Sequence, residues 1–115
     1  MTVHVKVREA LSGLACDQVF PIVAPEGTLP PYVVFQVVGG DPQEFITGEK
    51  PEKRQRRLQV NVWSESIIEA EDIAQQSEDA LRAAGLQAEV LTVAADTYDE
   101  TTKRCGKVQE FYLFC

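Results

Sequence analysis

Alternation of apolar and polar side chains between Arg56 and Trp63 is the feature of this sequence that most narrows its fold. Leu58, Val60 and Val62 would share one side of a strand, and the polar residues between them would share the other. A period of two is typical of an antiparallel sheet with one buried face and one solvated face. We therefore predict a strand here whose apolar side is covered by other parts of the chain.

The segment after this strand predicts the clearest helix of the chain, over residues 67–84. Its small and apolar residues recur at helical spacing and form one stripe, which comprises Ala70, Ile73, Ala74, Ser77, Leu81 and Ala84. Ser66 and Glu69 have the spacing of a capping box, in which each side chain binds a backbone N–H group of the other residue. Gly85 is a typical residue just beyond a helix end.

Weaker patterns predict a second helix and further strands. An apolar stripe predicts a helix over residues 3–14. Apolar or β-branched runs predict strands over residues 19–24, 32–38, 88–93 and 106–114. Residues 41–54 and 94–104 are predicted to be long polar connections. We expect one α+β domain over residues 1–115, a two-layer sandwich in which two helices pack on a mainly antiparallel sheet of about four to five strands, in the order α-β-β-β-α-β-β.

The composition indicates a globular domain. Hydrophobic residues make up 44% of the chain and charged residues 25%, so disorder is not expected. No apolar run approaches the ~20 residues that cross a bilayer, and the first residues lack a signal-peptide pattern. We therefore expect a cytoplasmic product with no membrane partner. The three cysteines are widely spaced and odd in number, which favours free thiols.

Charge is distributed unevenly along the chain. The net charge of −7 favours solubility and argues against general binding to nucleic acid. Residues 50–57 (KPEKRQRR) contain five basic side chains and one acidic one, so they carry +4 and the rest of the chain carries −11. Two interpretations are open: a surface that meets DNA or an acidic partner, or a solvated arm whose charges keep a sheet edge soluble.

Reactive side chains do not form a recognisable constellation. His4 is the single histidine, and we expect it to face solvent without the partners that a nucleophile needs. The acidic residues of 96–100 lack the glycine and the ligand spacing of a calcium loop. The glycine pair at 39–40 opens neither a phosphate loop nor a helix. We therefore predict a protein that is not an enzyme, with no catalytic residue, metal or cofactor.

Candidate interface residues lie within and beside the basic stretch. They are Phe45, Lys50, Lys53, Arg54, Arg56, Arg57 and Trp63. Trp63 ends its strand on the face opposite Leu58, Val60 and Val62. It has two interpretations, burial within the domain or an interface anchor, a position in which Trp is enriched.

Two blocks of the sequence resemble a known family. Residues 19–36 (VFPIVAPEGTLPPYVVFQ) resemble the VAP-G-lPY-vy signature of the tail-completion proteins of long-tailed phages. Residues 58–63 (LQVNVW), followed by a helix with Ala70, Ala74 and Leu81, resemble the second block of that family. The first helix and the two closing strands lie where the family has them, so the resemblance covers nearly the whole chain.

The resemblance implies a structural virion protein of a phage or prophage, a tail terminator that completes the tail and joins it to the head connector. Such proteins form an oligomeric ring with other copies of themselves, commonly a hexamer. They contact tail-tube and connector proteins and let DNA pass without binding it specifically. The product would be made in the bacterial cytoplasm and end in the tail or neck of the virion. The alternative is a small ligand-binding or regulatory α+β domain of bacterial origin.

One segment departs from the family pattern. The connection at 41–54 is long and charged, and we expect it, with residues up to 57, to contact a neighbouring subunit or another tail protein.

Overall fold

The computed structural model describes residues 2–39 and 55–114. The helices in these ranges are α1 (Val3–Ala10), a short 3-10 helix (Leu14–Asp17) and α2 (Ile67–Ala83). The strands are β1 (Val19–Pro21), β2 (Tyr32–Val37), β3 (Gln55–Ser64), β4 (Glu89–Val90), β5 (Ala95–Asp99) and β6 (Arg104–Phe114).

All the described strands belong to one mixed sheet. Its order is β1-β2-β3-β6, and both β4 and β5 pair with the outer side of β6. β1 is parallel to β2, whereas the other pairs are antiparallel. The long central pair sets Gln55 opposite Phe114 and Ser64 opposite Cys105, so β6 runs beside β3 over the whole length of β3.

One apolar core lies between this sheet and both α-helices. Leu58, Val60 and Val62 face it from β3 as predicted, and they pack with residues of both helices and of the neighbouring strands. Phe35 and Phe111 are fully buried there. Each buried Val, Leu or Phe side chain stabilises the fold by about 1.5–3 kcal/mol. The predicted α+β class, with two helices against a mainly antiparallel sheet, is confirmed for the described residues.

The predicted strand count and order are wrong in detail. β5 lies within residues 94–104, which were expected to be a polar connection, so the order ends in three strands and not two. Thr97 and Tyr98 favour a strand, but the two aspartates disfavour one. Pairing with β6 provides the backbone hydrogen bonds, and an ion pair between Asp96 and Lys107 joins the two strands across the ladder.

The start of α2 is held differently from the predicted capping box. Ser66 is the N-cap residue, but its side chain makes no capping hydrogen bond. The fully buried Ser64, at the end of β3, takes this role. Its hydroxyl donates to the Glu69 carboxylate and accepts the Ser66 N–H at 3.2 Å. The last residue of the strand therefore anchors the helix.

Several element ends also differ from the sequence prediction. α1 ends at Ala10, well before residue 14, and Gly13 then adopts a left-handed conformation with φ of 86°. His4 does not face solvent fully: it is half-buried, and its ring centroid lies 6.4 Å from that of Phe35. β1 and β4 are shorter than predicted, and β1 stops at Pro21, which cannot donate to a ladder.

Candidate interaction surfaces

Three of the predicted interface residues lie on β3. Alternation along the strand places Arg57 and Trp63 on the sheet face that points away from the helices, which we call the open sheet face. Arg56 lies on the helix side, opposite Leu113 of β6. The remaining candidates lie outside the described residues; they are Phe45, Lys50, Lys53 and Arg54.

Arg57 is tied into its own sheet. Its Nη2 atom lies 2.7 Å from Oε2 of Glu110 on β6, with the two side chains 43% and 18% exposed. Its backbone N–H donates to the carbonyl of Gly39 at 2.7 Å, and its carbonyl accepts from Val38 N–H at 2.8 Å. Arg57 therefore stabilises the junction of β2, β3 and β6.

Trp63 packs on a glycine. It lies opposite Gly106 on β6 and opposite Tyr32 on β2, and it is half-buried. A Cβ atom at position 106 would lie 2.6 Å from the carbonyl oxygen of Val62 and 2.8 Å from Cε3 of Trp63. Only glycine leaves room for the indole here, so the packing of Trp63 depends on the residue across the ladder.

The same end of the open sheet face holds a polar contact with an aromatic ring. Nη1 of Arg104 donates to the hydroxyl of Tyr32 at 2.9 Å, and its guanidinium carbon lies 5.3 Å from the centre of that ring. Further along, Gln36 donates to Gln59 at 2.9 Å. The core residues of α1 and α2 pack on the other face of the sheet, while this face carries aromatic rings, paired polar groups and Val34, which is 8% exposed.

Buried polar side chains fix α2 to β6 and β5. Lys107 is 8% exposed and pairs with Asp96 of β5 and, at 3.8 Å, with Glu71 of α2. The hydrogen bond with Asp96 raises the pKa of Lys107 above its usual 10.5, while burial opposes that rise. Gln109 donates to Glu78 of α2 at 2.9 Å. These residues are far apart in sequence, so sequence reasoning missed the cluster.

Exposed apolar side chains lie beside both edges of the sheet. Ile22, Val23 and Leu29 follow β1 and are 67%, 71% and 73% exposed. At the opposite edge, Val93 and Tyr98 are 85% and 55% exposed. Contiguous apolar side chains that remain in water, such as the neighbouring Ile22 and Val23, are typical of contact surfaces.

A further exposed surface surrounds the first turns of α2. Ile68 is 78% exposed, although the apolar stripe of the helix faces the core. Glu71 and Asp72 lie one helical turn after it, and Glu65 and Glu69 are close to it in the chain. We call this set the α2-start surface; it comprises Glu65, Ile68, Glu69, Glu71 and Asp72, all of them exposed.

The described residues contain neither a metal-binding cluster nor a membrane-spanning helix. Among residues 2–39 and 55–114, no three His, Cys, Asp or Glu side chains are arranged to hold a metal ion. The described helices are too short or too polar to cross a membrane. Cys16 and Cys105 are free thiols.

These features define a small α+β domain whose polar clusters join its own helices and strands and whose remaining surfaces suit contact with other proteins. The chain matches, over residues 1–111, the family model described as Tail completion protein gp17. It belongs to this phage tail-completion family, as its two sequence blocks predicted, and so to the structural proteins of phages. No curated protein matches the chain.

Proposed function

We propose that this chain is a ring subunit that completes the tail of a phage or prophage particle and joins the tail to the head connector. The family supports the tail-completion part of this role. The protein acts through contacts and without catalysis, and its place is the tail or neck of the virion. The family match favours this structural role over a ligand-binding or regulatory domain.

The observation that carries the proposal is the presence of two unlike surfaces on opposite edges of one sheet. A closed ring of identical subunits needs contacts in which each copy uses two different surfaces. The β1 edge offers Ile22 and Val23, and the β5 edge offers Val93 and Tyr98, all of them largely in water. Each copy would present a different edge to each of its two neighbours.

The charge of the chain suits a ring that DNA crosses. A net charge of −7 repels phosphate groups, so a strand of DNA would pass without specific binding. A hexamer would multiply this effect around the channel.

Residues 41–57 are the proposed arm that reaches a neighbouring copy or a tube or connector protein. Phe45 and the basic residues Lys50, Lys53 and Arg54 belong to this arm. Trp63, with part of its indole exposed, is a candidate contact near the other end of β3. Deleting residues 43–53 should leave the circular dichroism spectrum and the melting temperature nearly unchanged but block the joining of heads to tails. Normal joining after this deletion would refute the arm.

Electron microscopy of the protein with purified tail tubes tests the ring itself. We expect ring-shaped density at tube ends that is absent when the protein is left out. Neither rings nor binding to tube ends would contradict the proposed function.

A further inference from the structure

We propose that the α2-start surface of one copy receives the basic stretch 50–57 of a neighbouring copy. This inference rests on the proposed function, because it adds a second contact between neighbouring copies of the ring to the contact between sheet edges. It commits to a second copy of this chain as the occupant.

Charge complementarity is the first reason. From residue 58 to residue 81 the chain has six carboxylates and no basic side chain, and four of the six belong to the α2-start surface. Two of those four are partly engaged, since Glu69 accepts from Ser64 and Glu71 pairs with Lys107 at 3.8 Å. The surface as a whole still carries a local excess of negative charge. The stretch 50–57 is the complementary feature, with five of the eleven basic residues of the chain.

Within one copy, the strand β3 separates the end of the basic stretch from the α2-start surface. β3 carries the chain from Gln55 to Ser64, a rise of about 30 Å, before α2 begins. Lys53 and Arg54 precede Gln55 directly, so chain length keeps their Cα atoms within about 7 Å of the Cα of Gln55. Arg56 is fixed near the start of the strand, and so it lies well beyond the Debye length of about 8 Å from the α2-start surface of its own copy.

The start of β3, where the basic stretch joins the sheet, and the α2-start surface therefore lie at opposite ends of the longest strand pair, which suits a head-to-tail contact. Ile68 adds an apolar centre at 78% exposure among the carboxylates. The aliphatic stems of Lys and Arg cover apolar surface while their charged ends stay in contact with acids. A basic segment thus suits both parts of the surface, whereas DNA would be repelled by it.

Arg57 contributes least to the contact, because its guanidinium is paired with Glu110 of its own copy. Lys50, Lys53, Arg54 and Arg56 are the side chains offered to the neighbour.

Carbodiimide cross-linking tests the contact directly, since it joins a lysine amine to a carboxylate with no added spacer. Isotopically labelled and unlabelled full-length chains are mixed, bound to purified tail tubes, cross-linked and digested. We expect peptide pairs of mixed isotopic origin that join Lys50 or Lys53 to Glu65, Glu69 or Asp72. Ionic strength should matter, with the yield of these pairs falling at high salt.

Each other outcome has a defined meaning. Mixed pairs that avoid α2 would overturn the inference and leave the ring intact. Pairs between α2 and a tube or connector protein would also overturn it, because the surface would then have another occupant. Failure of the wild-type chain to bind tube ends would instead contradict the proposed function.

Charge reversal provides a second readout. Asp72→Lys with Glu65→Lys should reduce binding to tube ends by about ten-fold or more, as loss of close charge pairs does at protein interfaces. Lys53→Glu with Arg54→Glu should do the same, and all four changes together should restore binding. Glu26→Lys, a charge reversal in the exposed turn after β1, is the matched control. No recovery in the fourfold variant, with circular dichroism showing a folded chain, would overturn the inference.

Discussion

Trp63 lies across Gly106 on the neighbouring strand, and a Cβ at position 106 would stand 2.8 Å from Cε3 of the indole. The same Cβ would be 2.6 Å from the Val62 carbonyl oxygen, which belongs to the β3 backbone and cannot rotate away. We therefore expect Gly106→Ala to lower the free energy of unfolding by about 3 kcal/mol, at the upper end of overpacking costs. Urea unfolding followed by circular dichroism measures this loss.

Gly85→Ala is the control for that variant. Gly85 has φ of 73° but no atom within 4 Å of an added Cβ. Its replacement should therefore cost only the left-handed strain, about 1 kcal/mol. If Gly106→Ala loses no more free energy of unfolding than Gly85→Ala, then Trp63 and Val62 move aside at little energetic cost.

Ser64 and Ser66 should differ in their effect on stability, although both are serines at the start of α2. The buried Ser64 hydroxyl binds Glu69 and the Ser66 N–H, whereas the Ser66 side chain makes no capping bond. Ser64→Ala should therefore lower the free energy of unfolding by about 1–3 kcal/mol, since it removes both hydrogen bonds of a buried hydroxyl, one of them to a carboxylate. Ser66→Ala should change it by less than about 0.5 kcal/mol. Equal losses of stability for the two variants in the same urea experiment would support the capping box of Ser66 and Glu69 that was predicted from sequence.

Lys107 should stabilise the fold up to alkaline pH. Its pKa is raised in the folded chain by the hydrogen bond with Asp96, so its contribution is complete below 10.5 and is lost as pH rises through the raised pKa. The melting temperature of Lys107→Met should thus lie below that of the wild type by a constant interval near neutral pH. The interval should shrink at pH above 10.5. Thermal melts over a pH series measure it.

Lys103→Met is the control for the pH series, because it removes an equal charge from an exposed position in the turn before β6. A pH dependence as large in this variant as in Lys107→Met would mean that net charge, and not the buried cluster, governs alkaline stability.

Glu110 should contribute modestly to stability through Arg57. Because Arg57 is 43% exposed, solvent screens the pair, and Glu110→Gln should cost about 0.5–1 kcal/mol. The loss should shrink at high salt. In a double-mutant cycle with Arg57→Ala, a coupling energy of zero would show that the 2.7 Å contact has no energetic value.

The long elements were predictable because their patterns persist over many residues. β3 shows its period of two across Leu58, Val60 and Val62, and α2 repeats its apolar stripe over several turns. The periodicity of apolar residues is enough to predict such segments. It also sufficed for the class of the fold.

Shorter features escaped prediction because distant residues decide them. β5 forms where Asp96 meets Lys107, a residue on another strand. Ser64 replaces Ser66 as the anchor of α2 because it is buried at the strand end, which sequence spacing does not reveal. For the candidate surfaces, the position of the basic stretch was evident from sequence. The pairing of Arg57 with Glu110, 53 residues away, was not.

The packing of Trp63 against Gly106 has a consequence for the fluorescence of the protein. Because the chain has a single tryptophan, its indole emission comes from one known place, the end of β3 beside the start of α2. Half-buried on the open sheet face, the ring is near enough to water to sense a change of surroundings. The unlabelled protein thus carries its own fluorophore, and docking of another chain over that end of the sheet would shift its spectrum.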